Sequence, residues 1–556
     1  MVGGEPSMTQ TEPRPASPTK LRSVGVIGGG TSGYFAAIAL KKRFPALEVT
    51  IVESSSIPII GVGEATTTLM PPFLHEQLGL DIVALYREVR PTWKLGIKFD
   101  WGLPGDSFFT YPFGETNPVE AVAHDGDLLA QSFTSMLMVA DKSPMIRDER
   151  GEPVSLLPRL KFAYHLDNAP FVAFLARHAA RLGVHHRDVL IADALVSADG
   201  ERIDRLRTSD GEDLSFDLYI DATGFRSQLI GKALGSPFHS FAGTLLCDTA
   251  IVAQVPQRGP VQPYTLAQTM NAGWCWKIPV EGEDHRGYVF SSAFLSDEQA
   301  IEEMRAKNPG MSDPWKVRFR SGRHQDFWKG NVVAIGNAYG FVEPLESTAL
   351  HMVITEIAYV VGCLESAGDG PPDTAFANTR VGGHWDYLRG FLGLHYRFNK
   401  KLDTPFWQAC RNDIDVTGVQ AAIDHYRAHG PWSERDGAHF QWGDPAFGYQ
   451  GMMILLLGQQ APGPRPTSTF SREVWRARVA RQRELAARAL PQAEALAILR
   501  ERPELLEEFV RSPASWCGGG AESVAVRPGD GPGVAPKHRT PPRFSAWDDL
   551  LGSLSR

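Results

Sequence analysis

The segment that most constrains this chain begins at Ser23. Ser23 to Ile27 is short, apolar and β-branched and reads as a buried strand. Gly28-Gly29-Gly30-Thr31-Ser32-Gly33 follows at once, Tyr34 to Arg43 reads as a helix with one apolar face, and Val49 to Glu53 is a second buried strand closed by an acid. Strand, G-x-G-x-x-G, helix, strand and acid in that order predict a βαβ unit with a parallel sheet, hence an α/β fold. Gly28 permits the tight turn, Gly30 lets backbone approach a pyrophosphate, and Gly33 lets helix and strand pack closely. The amides of Thr31 and Ser32 face an anion at the helix start, and Glu53 stands where a ribose hydroxyl is held. The unit predicts dinucleotide binding and leaves FAD and NAD both open.

Two later segments favour FAD. Phe216 to Gly224 and Val332 to Gly336 read as strands that each end in a Gly turn, so the nucleotide domain is assembled from distant pieces of chain. Asp221-Ala222-Thr223-Gly224-Phe225 resembles the second nucleotide-contact motif of flavin monooxygenases. Gly336-Asn337-Ala338 resembles their third, with Asn337 where Asp is usual. An amide still hydrogen-bonds a ribityl hydroxyl. No second Gly-rich fingerprint for NAD(P)H is evident, which suggests that a separate reductase supplies reduced flavin. Phe162 to Gly183 reads as a helix running into a turn. Residues 1–20 read as a disordered Pro/Thr/Ser-rich leader, 21–380 as the FAD-binding domain with an inserted substrate-contacting sheet, 381–512 as a mainly helical cap, and 513–556 as a Gly/Pro-rich tail. Ser471 to Glu508 has a helical period throughout.

Composition narrows the partners. A net charge of -8 gives no global basic field for nucleic acid. No apolar run approaches the ~18–20 residues of a membrane span, and Met452 to Gly458 is far too short. The 5 cysteines (Cys247, Cys275, Cys363, Cys410 and Cys517) are scattered and never spaced C-x-x-C, which argues against a disulfide framework or metal site and fits a reducing cytoplasm. The 13 tryptophans exceed what a core of this size needs and suit a pocket for a flat ring.

Four further motifs occur in order. They are Gly61-Val62-Gly63-Glu64-Ala65-Thr66; Trp93-Lys94-Leu95-Gly96-Ile97-Lys98-Phe99; Trp274-x-Trp276-x-Ile278-Pro279; and Pro344-Leu345-Glu346-Ser347-Thr348. With Tyr164-His165-Leu166-Asp167 and Gly287 to Ser292, they make the stretch from about Leu21 to Ser512 resemble the flavin-dependent halogenases of the tryptophan-halogenase type. The resemblance implies a flavin-monooxygenase-like α/β domain with a helical cap. It also implies a reaction in which reduced FAD, O2 and chloride or bromide convert an aromatic C–H to C–halogen through hypohalous acid.

The same resemblance assigns residues. Lys94 is the catalytic lysine that aims the electrophile, in preference to Lys98 on the same strand face; an ammonium near a pocket has a movable pKa, which a guanidinium lacks. Glu346 is the matching carboxylate, stabilising positive charge on the ring and accepting its proton; on spacing alone it is equally a helix N-terminal acid beside a Ser347/Thr348 cap. Thr348 and Ala349 mark the halide site, with Ala349 where the family commonly has Gly. Ala65 touches the flavin. Trp274 and Trp276 share one face of a strand, which suits either a wall between flavin and arene or a packed core. Phe113, and less directly Tyr111, hold the ring. Phe440 to Gln459 shows no match to the residues that clamp free tryptophan, and its Met and Leu run points to a larger or more apolar substrate. Retention of Glu346 points to an indole-like arene held non-covalently. The competing readings are a flavin-dependent aromatic hydroxylase, which works with NAD(P)H alone, and a non-catalytic flavin-binding protein. A monomer and a homodimer are both compatible with the sequence.

Overall fold

Residues 21–57, 63–432 and 447–511 are described in the computed structural model of the chain. The expected leader and tail, Cys517, Gly61, Val62 and residues 440–446 lie outside them.

The βαβ unit forms as its sequence predicts. Ser23–Ile27 lies between Glu48–Glu53 and Leu218–Asp221 in a six-stranded sheet continued by His185–Asp188 at one edge and by Val332–Ala334 and Trp328–Lys329 at the other. Every pairing is parallel except the last. Val24, Val26, Val49 and Ile51 on one face and Ile27 and Val52 on the other are all buried, as parallel strands require. The helix Thr31–Arg43 covers the sheet and packs on the helices Asn168–Arg181 and Thr348–Ala367.

A seven-stranded sheet is inserted into this domain, ordered Trp315–Arg318, Thr249–Pro256, Glu283–Phe290, Gly273–Pro279, Thr265–Met270, Gly96–Asp100, Phe109–Pro112. Alternation along Gly273–Pro279 sends Trp274 and Trp276 into the main core, while Cys275 joins Tyr288, Ala300 and Met304 in a second cluster beneath the helix Asp297–Lys307.

Several sequence expectations are corrected. Residues 163–166 are a strand, with the helix starting only at Asn168, where the Asp167 carboxylate caps Ala169 N. That strand bridges Glu64–Ala65 and Thr92–Lys94, partners too distant in sequence for local periodicity to reveal. Lys94 and Lys98 do not share a strand: the chain breaks at Leu95, whose amide bonds Pro263 O, and the two lysines belong to different sheets. The helix Thr374–Arg397 runs across the expected 380/381 boundary. The helical period from Ser471 is interrupted by the strand Ala489–Pro491, which pairs with Lys142–Arg147 and carries a helix-breaking proline. Thr348–Ala367 is long and apolar enough to cross a membrane by length and hydropathy, contrary to the expectation that no run approaches that length. Its burial comes from protein: 67% of the apolar window is inside the fold.

Candidate active site

At the nucleotide end the loop works through backbone. A Cβ on Gly33 would stand 2.0 Å from Gly28 O, so only glycine lets the helix sit this close to the strand. Among the described residues a Cβ on Gly30 would meet nothing within 4 Å, so none of them bars an anion from the amides of Thr31 and Ser32 at the helix start. Glu53 is half-buried; its Oε1 accepts from Tyr34 OH at 3.0 Å and meets His186 Nε2 at 2.7 Å. Asn337 is exposed in the short turn Gly336–Ala338, and Ser32 Oγ lies against Gly336, so the first and third nucleotide segments abut.

Asp221 does not fit the direct contact expected of it. Its carboxylate is buried and spent on the chain itself: Thr223 N and Oγ1 donate to Oδ1 at 3.1 and 2.6 Å, and Leu229 N and Ile230 N donate to Oδ2 at 2.8 and 2.9 Å. Asp221 therefore shapes the turn that follows its strand. Glu356, which sequence reading missed, does similar work on the third segment. It accepts from Gly336 N at 2.7 Å and from Trp385 Nε1 at 3.0 Å, and burial pushes its carboxyl up to about 8.

At the other end the charges are fully buried. Lys94 ends its strand with Nζ enclosed, donating to Thr66 O at 2.8 Å and to Ser347 Oγ at 2.5 Å. Burial pulls its pKa down to about 7 against the opposing pull of Glu346, so near neutrality it exchanges a proton readily. Thr66 adjoins Ala65, which is half-buried and pairs with His165. His165 is enclosed, with its ring nitrogens at Thr92 Oγ1 (3.3 Å) and Thr265 Oγ1 (2.9 Å); burial, then the neighbouring Lys94 charge, hold it neutral. Ser347 takes the left-handed conformation (φ 58°) at the start of the helix Thr348–Ala367 and makes no capping bond. Its hydroxyl serves Lys94 instead, so the cap expected at this position is not formed.

Glu346 is 4% exposed, and its Oε1 lies 2.7 Å from His395 Nε2. His395 Nδ1 faces the carbonyl of Phe391 at 3.0 Å. A carbonyl only accepts, so Nδ1 carries a hydrogen, and Nε2 is the nitrogen turned to the carboxylate. Sequence reading missed His395; nothing in a helical Leu-His-Tyr-Arg announces a partner 49 residues away.

Around these groups the walls are aromatic. The half-buried Phe113 ring has Lys94 Nζ 5.3 Å from its centroid. Tyr111 is set further back, its hydroxyl packed against Gly451 in the helix Tyr449–Gly458. Phe391, Phe447 and His351 form a contiguous aromatic group beside them. Lys98 stands apart, over the Phe108 ring at 4.0 Å. Trp274 and Trp276 are buried with centroids 6.0 Å apart, and the Trp276 ring lies flat on Gly287, where a Cβ would meet it at 2.0 Å. Thr348 Oγ1 is buried without a partner among the described residues, in the first turn of its helix, beside the half-buried Ala349. Such a position suits a small anion. Among the described residues no group of three His, Cys, Asp or Glu could hold a metal ion.

Comparison with known proteins bears on this geometry. The family model for tryptophan halogenase matches residues 23–471. The tryptophan 7-halogenase RebH of Lentzea aerocolonigenes is 32% identical over 74% of this chain and 82% of its own length. The tryptophan 6-halogenase SttH of Streptomyces toxytricini is 33% identical over 81% of this chain and 91% of its own. Among solved structures, that of MibH, a lanthipeptide tryptophan 5-halogenase, superposes with a TM-score of 0.87 at 43% identity, covering 91% of this chain and 99% of that one. The SttH structure gives 0.77 at 30%, covering 86% and 99%.

Proposed function

The chain belongs to the tryptophan halogenase family and is a flavin-dependent halogenase acting with FAD, O2 and halide; we propose that its substrate is a tryptophan side chain carried in a peptide rather than free tryptophan. The observation that carries this reading is the gap between the lanthipeptide halogenase, at TM-score 0.87 and 43% identity, and SttH, at 0.77 and 30%. The helix Tyr449–Gly458 supports it. This helix lies in the stretch expected to clamp the amino-acid head group, yet it carries no charged side chain to meet a free ammonium or carboxylate.

The residues present fit FAD. The amides of Thr31 and Ser32 would take its pyrophosphate, Glu53 a ribose hydroxyl, and Asn337 the ribityl chain, with Ala65 alongside. When bound, reduced FAD with O2 would supply the oxidation of halide to hypohalous acid, with a separate flavin reductase delivering the reduced form. Thr348 and Ala349 would seat the halide, and Trp274 and Trp276 keep the arene apart from the flavin. Lys94 in its ammonium form donates a proton to the oxygen of hypohalous acid, so that water leaves as the ring takes the halogen, and the ring proton taken up by Glu346 afterwards returns to Lys94. Phe113 holds the ring. The carboxylate of Glu346, held by His395, stabilises the ring cation and accepts the proton displaced by the halogen. Atoms balance: an aromatic C–H and HOX become C–X and H2O.

The deciding experiment gives the protein FAD, NADH, a flavin reductase and chloride or bromide. A panel of tryptophan-containing thioether-ring peptides is compared with free tryptophan and indole by mass spectrometry. The expected result is a halogen isotope doublet on a peptide, with kcat/KM about 10²-fold above that for free tryptophan. Equal turnover of free tryptophan would overturn the peptide assignment.

A further inference from the structure

Glu343 enters none of the steps above, yet it is as enclosed as any of the groups that do. It opens the loop that carries Glu346 and Ser347, and its side chain is 0% exposed. Its Oε2 accepts from the indole Nε1 of Trp274 at 2.7 Å and from the Tyr396 phenol. Its Oε1 accepts from no N–H or O–H group among the described residues, the nearby Cys247 thiol being the one further donor to this carboxyl, and burial pushes the carboxyl up to about 7. A buried carboxyl with only a weak thiol donor left for its second oxygen is costly, and an apolar residue of the same shape would fill the space without that cost. Its packing alone therefore does not account for it.

What the carboxyl does supply is orientation. An indole in an apolar wall is held by shape, and a single hydrogen bond at Nε1 selects one ring orientation. Tyr396 follows His395 in the helix Thr374–Arg397, so consecutive residues of one helix hold the two glutamates of one loop, His395 on Glu346 and Tyr396 on Glu343. Glu343 passes that hold to Trp274 in the inserted sheet. The loop that presents Ser347 to Lys94 and the tryptophan wall are thus joined through one carboxylate.

We propose that Glu343 is a positioning residue that locks the Trp274 indole against the 343–348 loop and so keeps hypohalous acid on its path from the flavin to Lys94 and Glu346. The proposal rests on the halogenase reading above. Without the bond to Nε1 the ring is free to turn, oxidant escapes to bulk water, and reduced flavin and halide are consumed without arene halogenation.

The test uses the full chain as E343L, E343Q, W274F and E343L/W274F. It reads halogenated product per reduced FAD oxidised, hypohalous acid caught by an enol trap in solution, arene KM and FAD binding. In E343L the product yield per flavin falls about tenfold, the value of a hydrogen bond of about 1.4 kcal/mol. Trapped hypohalous acid rises to match, while FAD binding, flavin oxidation and arene KM hold. W274F keeps the ring and loses the donor, so it leaks similarly, and the double variant leaks no more than either single one. E343Q keeps an acceptor oxygen for Nε1 and restores most of the yield. Wild-type yield in E343L, or additive losses in the double variant, would overturn the role. If E343L does not fold, W274F decides: full yield there overturns the proposal, and leakage rescued by no change of arene concentration supports it. A wild-type protein that halogenates no arene overturns the parent reading and this one together, whereas a result confined to the variants bears on Glu343 alone.

Discussion

The nucleotide end and the arene end of the site hold their charges in opposite ways. Glu53 at the nucleotide end is half-buried and leans on Tyr34 and an exposed His186. The glycines around it act through backbone. Lys94 and Glu346 at the arene end are enclosed, and each is met by protein groups: Thr66 O and Ser347 Oγ, and His395. Water can replace a lost partner at the first end and cannot at the second. On the proposed roles, one chain binds with groups that tolerate change and performs chemistry with groups that do not.

The comparison breaks first, if it breaks, at Lys94. Lys94→Ala is expected to lower product formation about 10³-fold or below detection while flavin absorbance titrations show unchanged FAD binding. Substantial product from that variant would show that the enclosed ammonium is only structural. Glu346→Gln is expected to cost about 10²-fold in kcat with little change in melting temperature, since the amide keeps an oxygen for His395. A loss confined to KM would move Glu346 from chemistry to ring binding.

At the nucleotide end the effects should be smaller. Glu53→Gln is expected to weaken FAD binding by about tenfold or less, with kcat restored at saturating FAD. A collapse of kcat at saturation would erase the distinction between the two ends. The smallest effect is on stability. Burial lowers the Lys94 pKa from 10.5 to about 7 in the folded protein, so between those values the unfolded chain binds the extra proton and stability rises with pH. The cost of enclosing the ammonium is full below about pH 7 and fades toward about 10.5. Any melting-temperature advantage of Lys94→Met over wild type should therefore be largest at low pH and shrink across that window. A difference independent of pH would mean that Lys94 is not desolvated.

Motif, periodicity and resemblance reached unequal depths. The strand, glycine loop, helix and acid from Ser23 to Glu53 were legible because each obeys a local rule, and the parallel sheet follows from them. Trp274 and Trp276 on one face followed from the period of a strand. The resemblance located Lys94 and Glu346 but named neither what encloses them nor what each touches. The strand Ala163–Leu166 was misread as helix because its partners lie far along the chain. The likeness of Asp221 to Gly224 to a nucleotide-contact motif of flavin monooxygenases implies a ligand contact for Asp221; folded, its carboxylate is consumed by four donors of Thr223, Leu229 and Ile230.

The sequence by itself determined the nucleotide fold, which depends on residue type and local spacing, and the family, through whose motifs it proposes Lys94 and Glu346 as the reactive side chains. Only the tertiary structure decided their state. That Lys94 borrows the hydroxyl of Ser347, that Glu346 meets the ring of His395, and that Glu343 ties a loop to Trp274 are contacts between residues 253, 49 and 69 positions apart. Burial and partner choice are properties of packing, and packing sets whether a lysine or a glutamate carries its charge.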